Sequence, residues 1–163
     1  MKNIPQIKTI LYATDLGKFT RPVFRQAIAH ANVHHARIIM LNVVEPLTET
    51  ARAIISGYMP ETAIEEVQKD GMKNIIATMK ERVKKFCDEE CDGTGLNEIP
   101  LQDIIVVPGR PSEEILLAAE KYNADMIVMG QSSKKVLGSK VMGSSARRVA
   151  RLTKVPILIV PNI

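Results

Sequence analysis

DMIVMGQSSKKVLGSKVMGSS, residues 125–145, passes through three kinds of segment in succession. The apolar run Met126-Ile127-Val128-Met129 ends at Gly130, a loop of Gly, Ser and Lys follows, and a helical pattern begins at Gly143-Ser144-Ser145. These are a strand, a small-residue loop and a helix start. Small residues let a ligand approach the backbone closely, and a helix start offers unpaired N–H groups and a partial positive charge to an anion. The segment therefore suits a phosphate-sized group.

Two common phosphate motifs do not fit. The G-x-x-x-x-G-K-[ST] loop is nearly imitated from Gly138 to Gly143, but Ser144 stands where its lysine belongs. The dinucleotide fingerprint G-x-G-x-x-G follows no strand candidate. What remains is Gly130, two residues, Ser133, nine residues, then Gly143-Ser144. This resembles the nucleotide loop of the universal stress protein family, G-x2-G-x9-G-[ST], with Ser133 in place of the second glycine. The resemblance extends to Tyr12-Ala13-Thr14-Asp15, to Gly109 and to the closing Val155–Val160, so it spans essentially the whole chain.

Outward from that loop, Ile7–Ala13 reads as a first strand, followed by a turn at Thr14–Gly17. Thr20 can cap a helix over Arg21–His35, with Val23, Ala27, Ile28 and Ala31 on one face. Arg37–Val44 is apolar on both faces, as in a strand between two helical layers. Leu47–Pro60 is a long connection with a short helix at Ala51–Ile55, read as a mobile flap or loop. Helical spacing over Glu61–Glu90 predicts a long helix with a break at Asp70-Gly71, then a polar loop, Cys91–Pro100. Leu101–Val107 is a third strand, and Ser112 is placed to cap the next helix, with Glu113 and Glu114 in its first turn. A strand from Asp125, a helix through Ala146, Val149 and Leu152, and a strand at Pro156–Val160 complete the pattern. Five strands alternating with four helices predict a single doubly wound α/β domain over residues 1–163, a parallel sheet with helices on both faces.

The resemblance implies more than the pattern does. It implies strand order 3-2-1-4-5, which sets strands one and four side by side, with ligands beyond their carboxyl ends. It implies an adenine nucleotide, ATP with or without Mg2+, as the ligand. Ala13, Thr14 and Asp15 would lie at the adenosine end, with Val43 touching adenine through its backbone and Gly109 bordering the crevice. Gly130, Ser133, Gly143, Ser144 and Ser145 would surround the phosphates. If the second family glycine sits at positive φ, Ser133 costs about 1–2 kcal/mol there, which weakens binding about ten- to thirtyfold without abolishing it. The last strand, at the sheet edge in this order, would pair with a second copy in a symmetric homodimer.

Other readings compete at each position. Asp is a common turn residue that bonds its own backbone, Ser144 and Ser145 are good helix-start residues, and Arg110, Lys134, Lys135 and Lys140 are ordinary solvated cations. His30 and His34 share a helix face but lack an evident third ligand. No G-x-S-x-G elbow or nearby histidine activates the loop serines, so no catalytic residue is assigned, and hydrolysis of ATP would at most be slow. A dimeric interaction module that has lost the nucleotide is the alternative function.

Bulk composition narrows the classes further. With 45% hydrophobic and 25% charged residues the chain has the make-up of a globular protein able to bury a core. A net charge of +4, no Trp, three Tyr and three Phe leave no aromatic platform for nucleic acid. Cys87 and Cys91 make neither a disulfide framework nor a zinc spacing, no apolar stretch is long enough to span a membrane, and the expectation is a cytoplasmic protein.

Overall fold

The computed structural model describes residues 4–17, 20–94, 100–132 and 141–161. Five strands, β1 (Thr9–Ala13), β2 (Arg37–Val44), β3 (Leu101–Pro108), β4 (Met126–Gly130) and β5 (Ile157–Val160), form one parallel sheet in the order β3-β2-β1-β4-β5. The helices between them are α1 (Thr20–His34), α2 (Glu49–Ser56), α3 (Glu61–Thr94), α4 (Pro111–Lys121) and α5 (Ser144–Leu152). The doubly wound fold and its strand order are those expected, and α2 is the short helix expected within the connection after β2.

Strand alternation sorts the core into two layers. Ile10, Tyr12, Ile38 and Met40 pack against Val23, Phe24 and Ala27 of α1 and Val83 and Cys87 of α3. Leu11, Ala13, Ile39 and Leu41 face the other way, against Ile115 and Ala118 of α4 and Ala146 and Val149 of α5. All five residues of β1, residues 38–42 of β2 and residues 126–129 of β4 are buried, so these central strands read as continuous apolar runs.

Several boundaries differ from the sequence reading for identifiable reasons. β1 begins at Thr9, not Ile7, because the Asp125 carboxylate accepts from the backbone N–H groups of Lys8 and Thr9 at 2.8 and 2.9 Å and halts the strand there. Thr20 is the first helical residue of α1, and His35 closes that helix at φ 53°. Most of the connection after β2 is helical: Thr48 caps α2, its hydroxyl accepting from Ala51 N–H at 3.2 Å. Gly71 does not interrupt α3, which continues beyond Glu90 into the expected loop. Arg110, not Ser112, precedes α4, and Pro111 occupies the first helical position, where its missing N–H costs nothing. Ser112 is buried one residue further on.

The C-terminal part of α3 is fastened to the first turn of α1. The buried Glu90 carboxylate pairs with Arg21 and, at 3.1 Å, with Arg25, while the Arg21 guanidinium also lies over Phe86. Near the carboxyl end of α1, His30 and His34 stack at 6.4 Å. Among the described residues no three metal-ligating side chains gather, and no helix is long and apolar enough to cross a membrane.

Candidate functional site

The turn leaving β1 is held from several directions. Thr14 N–H still donates to Leu41 C=O at 3.0 Å, and the buried Asn42 amide donates to Thr14 C=O at 2.9 Å. Leu16 then adopts φ 56°, a conformation that non-glycine residues rarely take, with its N–H donating to the Thr14 hydroxyl at 3.0 Å. Gly17 N–H donates to Asp15 Oδ1 at 2.9 Å, so Asp15 does hold its own turn. The Thr20 hydroxyl donates to Gly17 C=O at 2.7 Å, and the Tyr12 hydroxyl donates to Thr20 C=O at 3.2 Å. Burial pushes the Tyr12 hydroxyl well above the ordinary tyrosine range. A rigid turn therefore delivers an exposed Asp15 to the carboxyl end of β1.

The turn after β4 is built from backbone contacts. Gln131 N–H donates to Val160 C=O at 2.8 Å, and Gly143 N–H donates to Gln131 C=O at 2.9 Å, closing the loop base. A Cβ on Gly143 would lie 3.3 Å from that carbonyl oxygen and 3.4 Å from Ser132 Cα. Gly143 is the N-cap of α5 and offers no side-chain hydrogen bond to it. With no acid in that first turn, the positive end of α5 is uncompensated by its own sequence.

Because Ala13 pairs with both Leu41 and Met129, the ends of β2, β1 and β4 open on one crevice of about 490 Å³. Ala13, Thr14, Asp15 and Val43 line one part of it, and Gly130, Gly143, Ser144 and Ser145 another. Leu41, Ile115 and Met129 contribute apolar surface between them. Gly109 lies outside this lining: at φ 148° it donates its N–H to Val44 C=O at 3.0 Å, with the Glu114 side chain lying over its Cα. Ser133 is outside the described residues, as are Lys134, Lys135 and Lys140. Arg110 pairs with Glu113 at 3.1 Å.

The sequence reading passed over Glu45, Gln131 and Ser132, which also line the crevice. Gln131 and Ser132 were within reach of the motif, since they directly follow its first glycine. Glu45 carried a signal in its spacing from Leu41 and Val43. A second cavity, about 670 Å³, lies between α4 and the segment entering β5, lined by Leu116, Leu117, Leu152 and Val155. It sits at the amino ends of the strands, and its Lys154 is already paired with Glu120 at 2.5 Å. The smaller crevice is the one with convergent polar groups, an open helix start and the carboxyl-end position that ligands use in open parallel sheets.

The sequence profile of the universal stress protein family matches residues 6–161. The chain belongs to that family. Universal stress protein MJ0531 of Methanocaldococcus jannaschii is 42% identical over 155 residues, covering 94% of this chain and 81% of the relative. The solved structure of hypothetical protein MJ0577 from the same organism superposes with a TM-score of 0.75 at 24% identity, covering 98% of this chain and 99% of that one. A universal stress protein solved in complex with cAMP superposes with a TM-score of 0.53 at 20% identity, covering 96% and 98%. These likenesses at low identity concern the fold of this family member. Its ligand has to be argued from its own crevice.

Proposed function

We propose that this universal stress protein binds an adenine nucleotide, ATP, in the crevice at the ends of β1 and β4, and acts in the cytoplasm in the response to stress. The observation that carries the reading is the polarity of the crevice. At one end α5 presents uncapped N–H groups and the Ser144 and Ser145 hydroxyls, suited to phosphate oxygens. At the other end Asp15 offers an acceptor to ribose hydroxyls and Val43 offers backbone to the base. A ligand with an anionic end and a hydrogen-bond-donating end satisfies both, and a nucleotide is such a ligand. The cAMP complex of a family relative adds support for an adenine nucleotide in this fold.

A magnesium ion accompanying ATP is carried by the phosphates, since among the described residues no cluster of acids forms a cage for it. Binding proceeds without efficient turnover, because among the described residues no nucleophile and base meet in the crevice. Residues 1–163 act as one domain, and two copies join through the exposed edge of β5, whose Ile157, Leu158 and Ile159 are only half-buried. Calorimetry with ATP on the wild type and on Gly130→Val tests the binding. Heat with the wild type and none with the variant is expected, since a Cβ at Gly130 already lies 3.3 Å from Val23 Cγ2. No heat with the wild type, together with a dimer by light scattering, would leave the interaction-module function standing.

A further inference from the structure

We infer that Glu45 selects the base bound in this crevice, its carboxylate accepting a hydrogen bond from the exocyclic amino group of adenine. The inference rests on the nucleotide reading above and adds a specificity residue to it. Along β2 and just beyond it, Leu41, Val43 and Glu45 recur every second residue, and all three line the crevice. A two-residue period keeps Leu41 and Val43 on one face of β2, and Glu45, the first residue after the strand, lines the same crevice beyond them. A planar base laid on Leu41 and Val43 therefore meets an acceptor at its edge.

The other carboxylate in the crevice is partly committed, because Asp15 Oδ1 already accepts from Gly17 N–H. Glu45 is exposed, and among the described residues no ion pair engages it. Asp15 and Glu45 are also the charged side chains that line the crevice among the described residues. Sheet order gives the ligand its direction. β1 lies between β4 and β2, so the start of α5 and the end of β2 are separated by two strand spacings, about 10 Å. That span suits an elongated ligand whose phosphate end is at α5 and whose base reaches Glu45.

An ionised carboxylate only accepts hydrogen bonds. It favours an amino group at the base edge and repels a carbonyl oxygen in the same place. Adenine presents the amino group there, and guanine and hypoxanthine present the carbonyl.

The test is calorimetry of the wild type, Glu45→Ala and Glu45→Gln with ATP and with purine riboside triphosphate, in which hydrogen replaces the amino group. The wild type should prefer ATP by about tenfold, the scale of a hydrogen bond to a charged acceptor. Glu45→Ala should bring that ratio close to one by weakening ATP alone, and Glu45→Gln should fall between them because its amide oxygen still accepts. Glu45 is exposed, so melting temperatures should be unchanged. An unchanged ratio in Glu45→Ala, or equal weakening of both nucleotides, would overturn the inference. If the wild type binds both nucleotides equally, the role of Glu45 fails while the nucleotide reading survives. If it binds neither, both fail.

Discussion

α4 and α5 both begin at the crevice, through Pro111 and Ser144, and their first turns are built in opposite ways. α4 carries Glu113 and Glu114 in its first turn. Glu113 also draws Arg110 to 3.1 Å and Arg148 of α5 to 3.7 Å. α5 has a glycine N-cap and no acid in its first turn. Negative charge at a helix start stabilises it from within the protein. A helix without that charge leaves its positive end uncompensated by its own first turn. Under the proposed function, the difference separates a helix start that completes the fold from one that binds the anionic end of a ligand.

The largest effect should come from Gly143→Val. Its Cβ would meet Gln131 C=O and Ser132 Cα, both backbone, so the loop base must shift and the start of α5 with it. Calorimetry should detect no ATP binding in this variant. Retained affinity would mean that the anion does not bind at α5.

On the α4 side, Gly109→Ala should instead cost stability. Its φ of 148° is unfavourable for any residue with a Cβ, and that Cβ would stand 2.7 Å from Glu114 Cγ. The flexible Glu114 side chain can move away, whereas the backbone strain remains. A loss of about 1–3 kcal/mol is expected from urea denaturation. Combining it with Glu114→Ala should restore only a small part.

Tyr12 tests the third helix start at the crevice, that of α1, through its bond to Thr20 C=O. Tyr12→Phe should cost about 0.5–1.5 kcal/mol. The shift also makes a pH prediction, since burial raises the folded pKa above the unfolded value. The stability linked to the protonated hydroxyl is fully present below about pH 10, the unfolded value, and is lost as pH rises from there toward the folded one. Urea midpoints measured at about pH 8 and about pH 11 should therefore fall further for the wild type than for Tyr12→Phe.

The smallest effect sharpens the contrast most directly. Ser145→Glu gives α5 the kind of acid that α4 already has. It should stabilise the fold by about 0.3–1 kcal/mol and at the same time weaken ATP binding. A variant that gains stability without losing affinity would show that the ligand does not use the field of α5.

The alternation of apolar strands with helices was legible because burial on both faces leaves continuous apolar runs such as Arg37–Val44, whose bounds β2 reproduces. The strand order came from the resemblance of the Gly130 to Ser144 loop to a family, not from periodicity, which says nothing about which strands are neighbours. Local reading failed where a distant residue set the boundary. Asp125 ends the start of β1 from 116 residues away, measured from Thr9. Gly71 stays helical although no tertiary contact favours a glycine there, a Cβ at that position meeting nothing within 4 Å, since one glycine costs α3 only about 1 kcal/mol.

The sequence by itself determined the layers, the helix that starts at Gly143 without an acid, and the residue types available for a ligand, because these depend on spacing and chemistry along the chain. Only the tertiary structure decided which of those residues meet. The parallel pairing of Ala13 with both Leu41 and Met129 brings Asp15, Glu45 and Ser144 around one opening. It leaves Gly109 outside that opening, its N–H bonded to Val44 C=O and its Cα beneath Glu114. Contacts between elements far apart in sequence depend on how the sheet is assembled, and no local pattern encodes them.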